Sequence, residues 1–162
     1  MTSRRTTARK SPAHETPLEA QVFVNLLRTA DALARGTEAL LKPAGLSSTQ
    51  YNVLRILRGA GAEGLACSEI GCRMISRDPD ITRLLDRMES RGLIARARGT
   101  EDRRVVKTRI TPEGLRILEK LDAPVQELHR RQLHHLPEKE LRQLSRLLER
   151  VRTNEESSYL LD

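Results

Sequence analysis

Aromatic rings are almost missing from this sequence: one Phe, two Tyr and no Trp in 162 residues. A surface that grips single strands by stacking bases needs several such rings, so that mode of nucleic-acid binding is not expected. Cysteine is as scarce. Cys67 and Cys72 stand five positions apart, which suits neither a disulfide framework nor a four-ligand zinc site. No stretch approaches the roughly 18 apolar residues that a spanning helix requires, and the N-terminus carries no apolar signal core, so the expectation is a cytosolic protein with no place in a membrane. A Gly-rich phosphate loop, a nucleophile accompanied by His and an acid, and paired carboxylates in an apolar run are also lacking. Neither an enzyme nor a cofactor is expected.

Charge is what the chain has in quantity. Charged residues make up 31% of it and the net charge is +7, which points to a polyanionic partner, either nucleic acid or an anionic membrane surface. A membrane-surface protein would spread its cations along an amphipathic helix. Here they gather in two places. The first is residues 1–15, where Arg4, Arg5, Arg9 and Lys10 face only Glu15 and no apolar period exists, the pattern of a disordered basic arm. The second is Arg96 to Arg109, with six bases (Arg96, Arg98, Arg103, Arg104, Lys107, Arg109) against Glu101 and Asp102. A solvated hairpin has no need of that excess, whereas one that lies on phosphates does.

Between these lie helical patterns with readable ends. "TPLE" at Thr16 has the form of a capping box with Pro17 in the first turn, and Phe23, Leu26, Leu27, Ala30, Leu33 and Leu40 then recur at three- and four-residue spacing. After "KPAG", Ser47 or Ser48 caps a second helix that turns Val53, Leu54 and Leu57 inward. A short third helix spans Cys67 to Met74. A fourth is expected from Asp78 as cap and Pro79 as first residue, with Ile81, Leu84, Leu85 and Met88 as its apolar stripe and Gly92 as its stop. Alternation on either side of "GTEDRR" predicts a two-stranded hairpin. Thr111 starts a further long helix with a kink expected at Pro124, and a last helix follows Pro137. The domain reading is an arm at 1–15, a single domain at 16–153 and a tail at 154–162. Within the domain, 47–110 form the core, flanked by long helices at 16–42 and 111–153.

Two short helices, a turn, a third helix and a charged hairpin is the order of a winged helix-turn-helix, a mainly α fold with a small β hairpin. One helix of such a module enters the major groove while the hairpin lies over the backbone and reaches the minor groove. With the apolar stripe buried, Asp80, Thr82, Arg83, Asp86, Arg87 and Ser90 point away from the core. Arg83 and Arg87, one turn apart, can address base edges or phosphates; Asp80 can accept from a cytosine amine or pair with Arg83. The candidate DNA-binding residues are therefore Asp80, Thr82, Arg83, Arg87, Arg96, Arg98, Arg103, Arg104 and Lys107.

"ITRLLDRMESRGLI" followed by "EDRRVVKTRITPEG" resembles the MarR family of bacterial transcription regulators. Leu84, Asp86, Arg87, Glu89, Arg91, Gly92 and Leu93 match one family run, with Met88 in a Leu slot; Asp102, Arg104, Ile110, Thr111 and Gly114 match the wing. The resemblance spans about Leu18 to Val151. It implies a homodimer joined through the first and last two helices, acting as a ligand-responsive repressor on a pseudo-palindromic double-stranded DNA operator. It further implies that Arg104 inserts into the minor groove with Asp102 orienting its guanidinium, and that a small aromatic or anionic effector releases the DNA. Relatives that sense peroxides carry their reactive Cys in the first helix, where this chain has none. A redox role would fall to Cys67 and Cys72, for which burial as small hydrophobes is the plainer expectation. His129, His134 and His135 do not share a helical face and are expected to be solvated rather than metal-bound.

Overall fold

The computed structural model describes residues 16–76, 78–98 and 106–153. Their elements are α1 (Leu18–Leu41), α2 (Ser48–Ala60), β1 (Leu65–Ala66), α3 (Cys67–Arg73), α4 (Ile81–Ser90), β2 (Ile94–Arg98), β3 (Val106–Ile110), α5 (Pro112–Leu133) and α6 (Glu138–Arg152). The chain divides into two units, one ending at Leu33 and one beginning at Ala34, with the division falling inside α1. In the first unit Leu18, Val22, Phe23, Val24 and Leu27 are all exposed. Phe23, whose spacing suggested a core position, is 62% exposed.

The second unit holds the core. Ser47 opens α2 with a reciprocal cap: its Oγ accepts from the Gln50 N–H, and the Gln50 side chain accepts from the Ser47 N–H, both at 3.2 Å. That start rotates Val53, Leu54 and Leu57 inward, where they are completely enclosed with Leu41, Ile70, Met88 and Leu118. Each such side chain removed from water contributes on the order of 1.5–3 kcal/mol. Thr111 caps α5 by accepting from the Gly114 N–H at 3.1 Å, and α5 lays Leu118, Leu121 and Val125 on the same core. It runs unbroken through Pro124 to Leu133.

Two expectations change. The helix at 78–91 begins later than the Asp-Pro pair suggests. The Asp78 carboxylate is engaged by the Asp80 N–H at 2.9 Å, and Asp80 is the residue whose side chain accepts from the Arg83 N–H at the helix start. The hairpin is also part of a three-stranded antiparallel sheet ordered β1-β3-β2. Leu65 and Ala66 pair with Thr108 and Lys107, while β2 pairs with β3 from Ile94 opposite Ile110 to Arg98 opposite Val106.

A bidentate ion pair ties α2 to α5: Arg58 Nη1 and Nη2 donate to the two Asp122 carboxylate oxygens at 2.7 and 3.0 Å. The guanidinium holds the Asp122 carboxyl below its ordinary range. A depressed folded-state value means the pair stabilises fully above the unfolded aspartate value of about 3.9 and ceases to do so as pH falls through the folded value. Both side chains are about a third exposed, so screening limits the contribution to about 1 kcal/mol or less. Asp122→Asn is therefore expected to lower the urea midpoint modestly between pH 7 and 5 and to match wild type near pH 2. A gap that widened on acidification would contradict the sign.

Candidate nucleic-acid interface

α4 is amphipathic in the strict sense. Leu84, Leu85 and Met88 are buried, and Thr82, Arg83, Asp86, Arg87 and Ser90 are exposed. Preceded by α3 and a turn, it occupies the place of a recognition helix. Its two ends are held differently. At the N-terminus Asp80 both caps the helix and pairs with Arg83, Nε to Oδ2 at 3.2 Å, leaving the Arg83 side chain 81% exposed and free to swing outward. The Asp80 carboxylate is thus occupied with the helix start and its neighbouring arginine. In the turn before it, the Ile75 N–H donates to Asn52 Oδ1 of α2 at 3.0 Å, fixing the approach to the helix.

At the C-terminal end Arg91 reaches back to the junction between α1 and α2, donating to the Gly45 carbonyl at 2.8 Å and to Gln50 Oε1 at 3.3 Å. Gly92 then adopts a positive φ of 68°, which a residue with a Cβ rarely takes. The chain reverses there and Ile94 enters the core as the first residue of β2.

Arg96 and Arg98 share the face of β2 that begins at Ile94. Arg96 does not stand free on the surface as the charge count suggests. Its Nε and Nη2 donate to Glu89 Oε2 at 2.8 and 2.6 Å, its Nη2 to Asp86 Oδ1 at 2.6 Å, and its backbone N–H to Glu89 Oε1 at 3.0 Å. Hydrogen bonds from the Arg96 side chain and backbone hold the Glu89 carboxyl below its ordinary range. Arg98 is exposed at the outer end of β2. Lys107, half-buried on β3, lies 3.9 Å from Glu69 of α3, and Arg109 donates to the Ala62 carbonyl at 2.5 Å. Asp102, Arg103 and Arg104 lie outside the described residues.

Sequence reasoning missed β1, the Arg91 tie and the Glu89–Arg96 contact. Only the last had a signal, a carboxylate near the end of α4 followed, after the three residues Arg91, Gly92 and Leu93, by a strand in which Arg96 is phased with Ile94. Cys67 is half-buried, but Cys72 is exposed rather than packed away. Among the described residues no group of three or more His, Cys, Asp or Glu side chains is arranged to hold a metal ion. His134 hydrogen-bonds the Arg131 carbonyl. A cleft of about 340 Å³ lies between Leu40 and α5, lined by Leu40, Pro124, Glu127, Leu128 and Arg131.

The family model for the MarR family matches residues 46–106, which span α2 to the start of β3. A repressor of the helix-turn-helix type, IacR from Pseudomonas putida, is 33% identical over 162 residues, covering 96% of each chain. A MarR transcription factor from Planctomyces limnophilus of known structure is 43% identical, with 82% of this chain and 96% of that one covered at a TM-score of 0.63. The chain belongs to the MarR family. It is a DNA-binding transcription regulator with a winged helix-turn-helix fold. A Cys-to-Ser mutant of MarR from E. coli, solved in complex with operator DNA, superposes with a TM-score of 0.74 at 26% identity over 84% of this chain and 99% of that one. In this MarR-family chain, α3 and α4 form the helix-turn-helix, and β2 and β3 form the stem of the wing.

Proposed function

We propose that this regulator is a cytoplasmic repressor, without catalytic activity, that binds a pseudo-palindromic operator as a homodimer and releases it when a small aromatic or anionic molecule binds. The observation that carries the DNA reading is the exposed face of α4, with Thr82, Arg83 and Arg87 outward, beside a basic β ribbon. Thr82, Arg83 and Arg87 address the major groove, Arg98, Arg103 and Lys107 the backbone, and Arg104 the minor groove with Asp102 orienting it. Asp80 acts through Arg83, and Arg96 acts through α4 rather than on phosphate. The dimer reading rests on the apolar side chains that α1 and α6 leave exposed, among them Phe23, Leu27, Leu144, Leu147 and Val151. A twofold protein asks for a twofold site.

The cleft beside Leu40 suits an effector with a mainly apolar body: Leu40, Pro124 and Leu128 line it, and an effector carboxylate would have to displace Glu127, which already holds Arg131 at 2.7 Å. An effector acts only through a difference in affinity between the DNA-competent and incompetent geometries. Selection of bound duplexes from a random pool, followed by footprinting, tests the operator. Arg104→Ala should then weaken binding to every selected sequence by about 1–3 kcal/mol and reduce the salt slope by about one. Undiminished affinity would remove Arg104 from the interface.

A further inference from the structure

α4 carries two acids beside its two outward arginines, Asp86 on the exposed face and Glu89, half-buried, at its edge. Carboxylates on a helix that approaches phosphates repel them, and at separations within a Debye length of about 10 Å the repulsion is not screened away. On charge alone, removing either acid should tighten binding to DNA.

The geometry around Arg96 points the other way. One Glu89 carboxylate receives both the guanidinium and the backbone N–H of the same β2 residue, and Asp86 takes the remaining side of that guanidinium. A side chain alone could slide along a strand; a carboxylate that also grips the peptide N–H fixes the strand's register and tilt against the helix. The Arg96 side chain is 26% exposed, so these charge-assisted bonds are only partly weakened by water. The phasing of the chain brings the two groups together. Ile94 is buried, so Arg96, two residues on, lies on the same face of β2, the side where α4 packs. Beyond this point β2 continues to Arg98, paired with Val106 of β3, so a tilt at Arg96 is carried along the ribbon at about 3.3 Å of rise per residue.

We propose that Glu89, assisted by Asp86, is a positioning residue for operator binding: through Arg96 it locks the wing to the recognition helix so that both meet the duplex in one geometry. Neutralising this acid therefore weakens binding to a polyanion. The inference rests on the reading of α4 and the wing as the DNA-contacting surface. It distinguishes two uses of Arg96. If Arg96 contacts phosphate, Glu89 competes for it and its removal helps. If Arg96 is the bracket, its removal and that of Glu89 have the same consequence.

The test uses the full chain and a fluorescein-labelled duplex selected from a random pool, read by anisotropy across a salt series, with a scrambled duplex alongside. Glu89→Ala is expected to lose about tenfold in operator affinity, with little change on scrambled DNA and an unchanged salt slope. Arg96→Ala should lose as much, and the double variant no more than either single one, since each removes the same contact. Glu89→Gln, which keeps an acceptor, should recover part of the loss; it also carries the test if Glu89→Ala melts below the assay temperature. Wild-type or tighter operator binding by Glu89→Ala and Glu89→Gln would overturn the inference. So would a salt slope lowered by about one in Arg96→Ala, the mark of a lost phosphate contact. Failure of the wild-type chain to bind any duplex would instead overturn the DNA-contact reading beneath it.

Discussion

Introducing Leu144→Asp and Leu147→Asp together on α6 is expected to leave a folded monomer that binds its operator about 10²–10⁴-fold more weakly. Leu144, Leu147 and Val151 fall at i, i+3 and i+7 and are 40%, 46% and 53% exposed, an apolar stripe left open to water. Polar substitutions on a surface of this kind cost the isolated fold little. Within a dimer interface the same carboxylates would be stripped of water, and each charge buried there without a partner opposes association by several kcal/mol. Losing the dimer removes the linked second half-site, and the avidity of two tethered modules is worth the factor stated. Sedimentation equilibrium and anisotropy on the selected duplex measure the two effects separately. A variant that remained dimeric with undiminished affinity would show that α6 is not part of the interface.

The second large effect concerns the hinge where the wing returns to the helices. Gly114→Ala is expected to lower the melting temperature by about 10 °C. A Cβ at this position would sit 2.4 Å from the Leu93 carbonyl oxygen, 2.8 Å from Ile110 Cγ1 and 3.3 Å from Leu54 Cδ2. The first of these is backbone already engaged by the Thr111 N–H at 3.1 Å, so it cannot retreat without breaking the tie between the approach to β2 and the cap of α5. Overpacking of this kind costs about 3 kcal/mol, and each kcal/mol moves the midpoint of a chain this size by about 2–4 °C. Gly59 in α2 supplies the control. Nothing lies within 4 Å of its Cβ position, so Gly59→Ala should stabilise by about 0.5 kcal/mol through helix propensity alone. Equal melting points for the two variants would mean that space at Gly114 is not the constraint.

How far the sequence announces this molecule differs from element to element. The apolar stripe of α4 and the Ser47 cap could be read directly, because both depend on residues within one or two turns of each other. The start of α4 could not. Asp78-Pro79 has the local chemistry of a cap and first turn, but the Asp78 carboxylate is taken by the Asp80 N–H, and the cap passes to the next acid. β1 is two residues long, too short for alternation to appear in any window. The candidate site was legible in its charges and not in their pairing. Arg83, Arg87 and Arg96 look equivalent in composition, yet only the fold places Arg96 against Glu89 while Arg83 and Arg87 stay exposed. The tie from Arg91 to Gly45, 46 residues apart, and the pair of Arg58 with Asp122, 64 apart, have no local signature at all.

The strand order β1-β3-β2 has a consequence for how this protein behaves at high concentration. β3 is hydrogen-bonded on both sides, which leaves β2 as the one edge of five residues among the described strands, with the sequence Ile-Ala-Arg-Ala-Arg. An exposed strand of alternating small apolar residues is a template for another copy's backbone, and cationic side chains along such an edge are what keeps copies from zipping together. Arg98, exposed at the outer end, and Glu89, which occupies the Arg96 N–H, thus guard against self-stacking, and a variant stripped of both would leave behind a smooth Ala-lined rail on which filaments start.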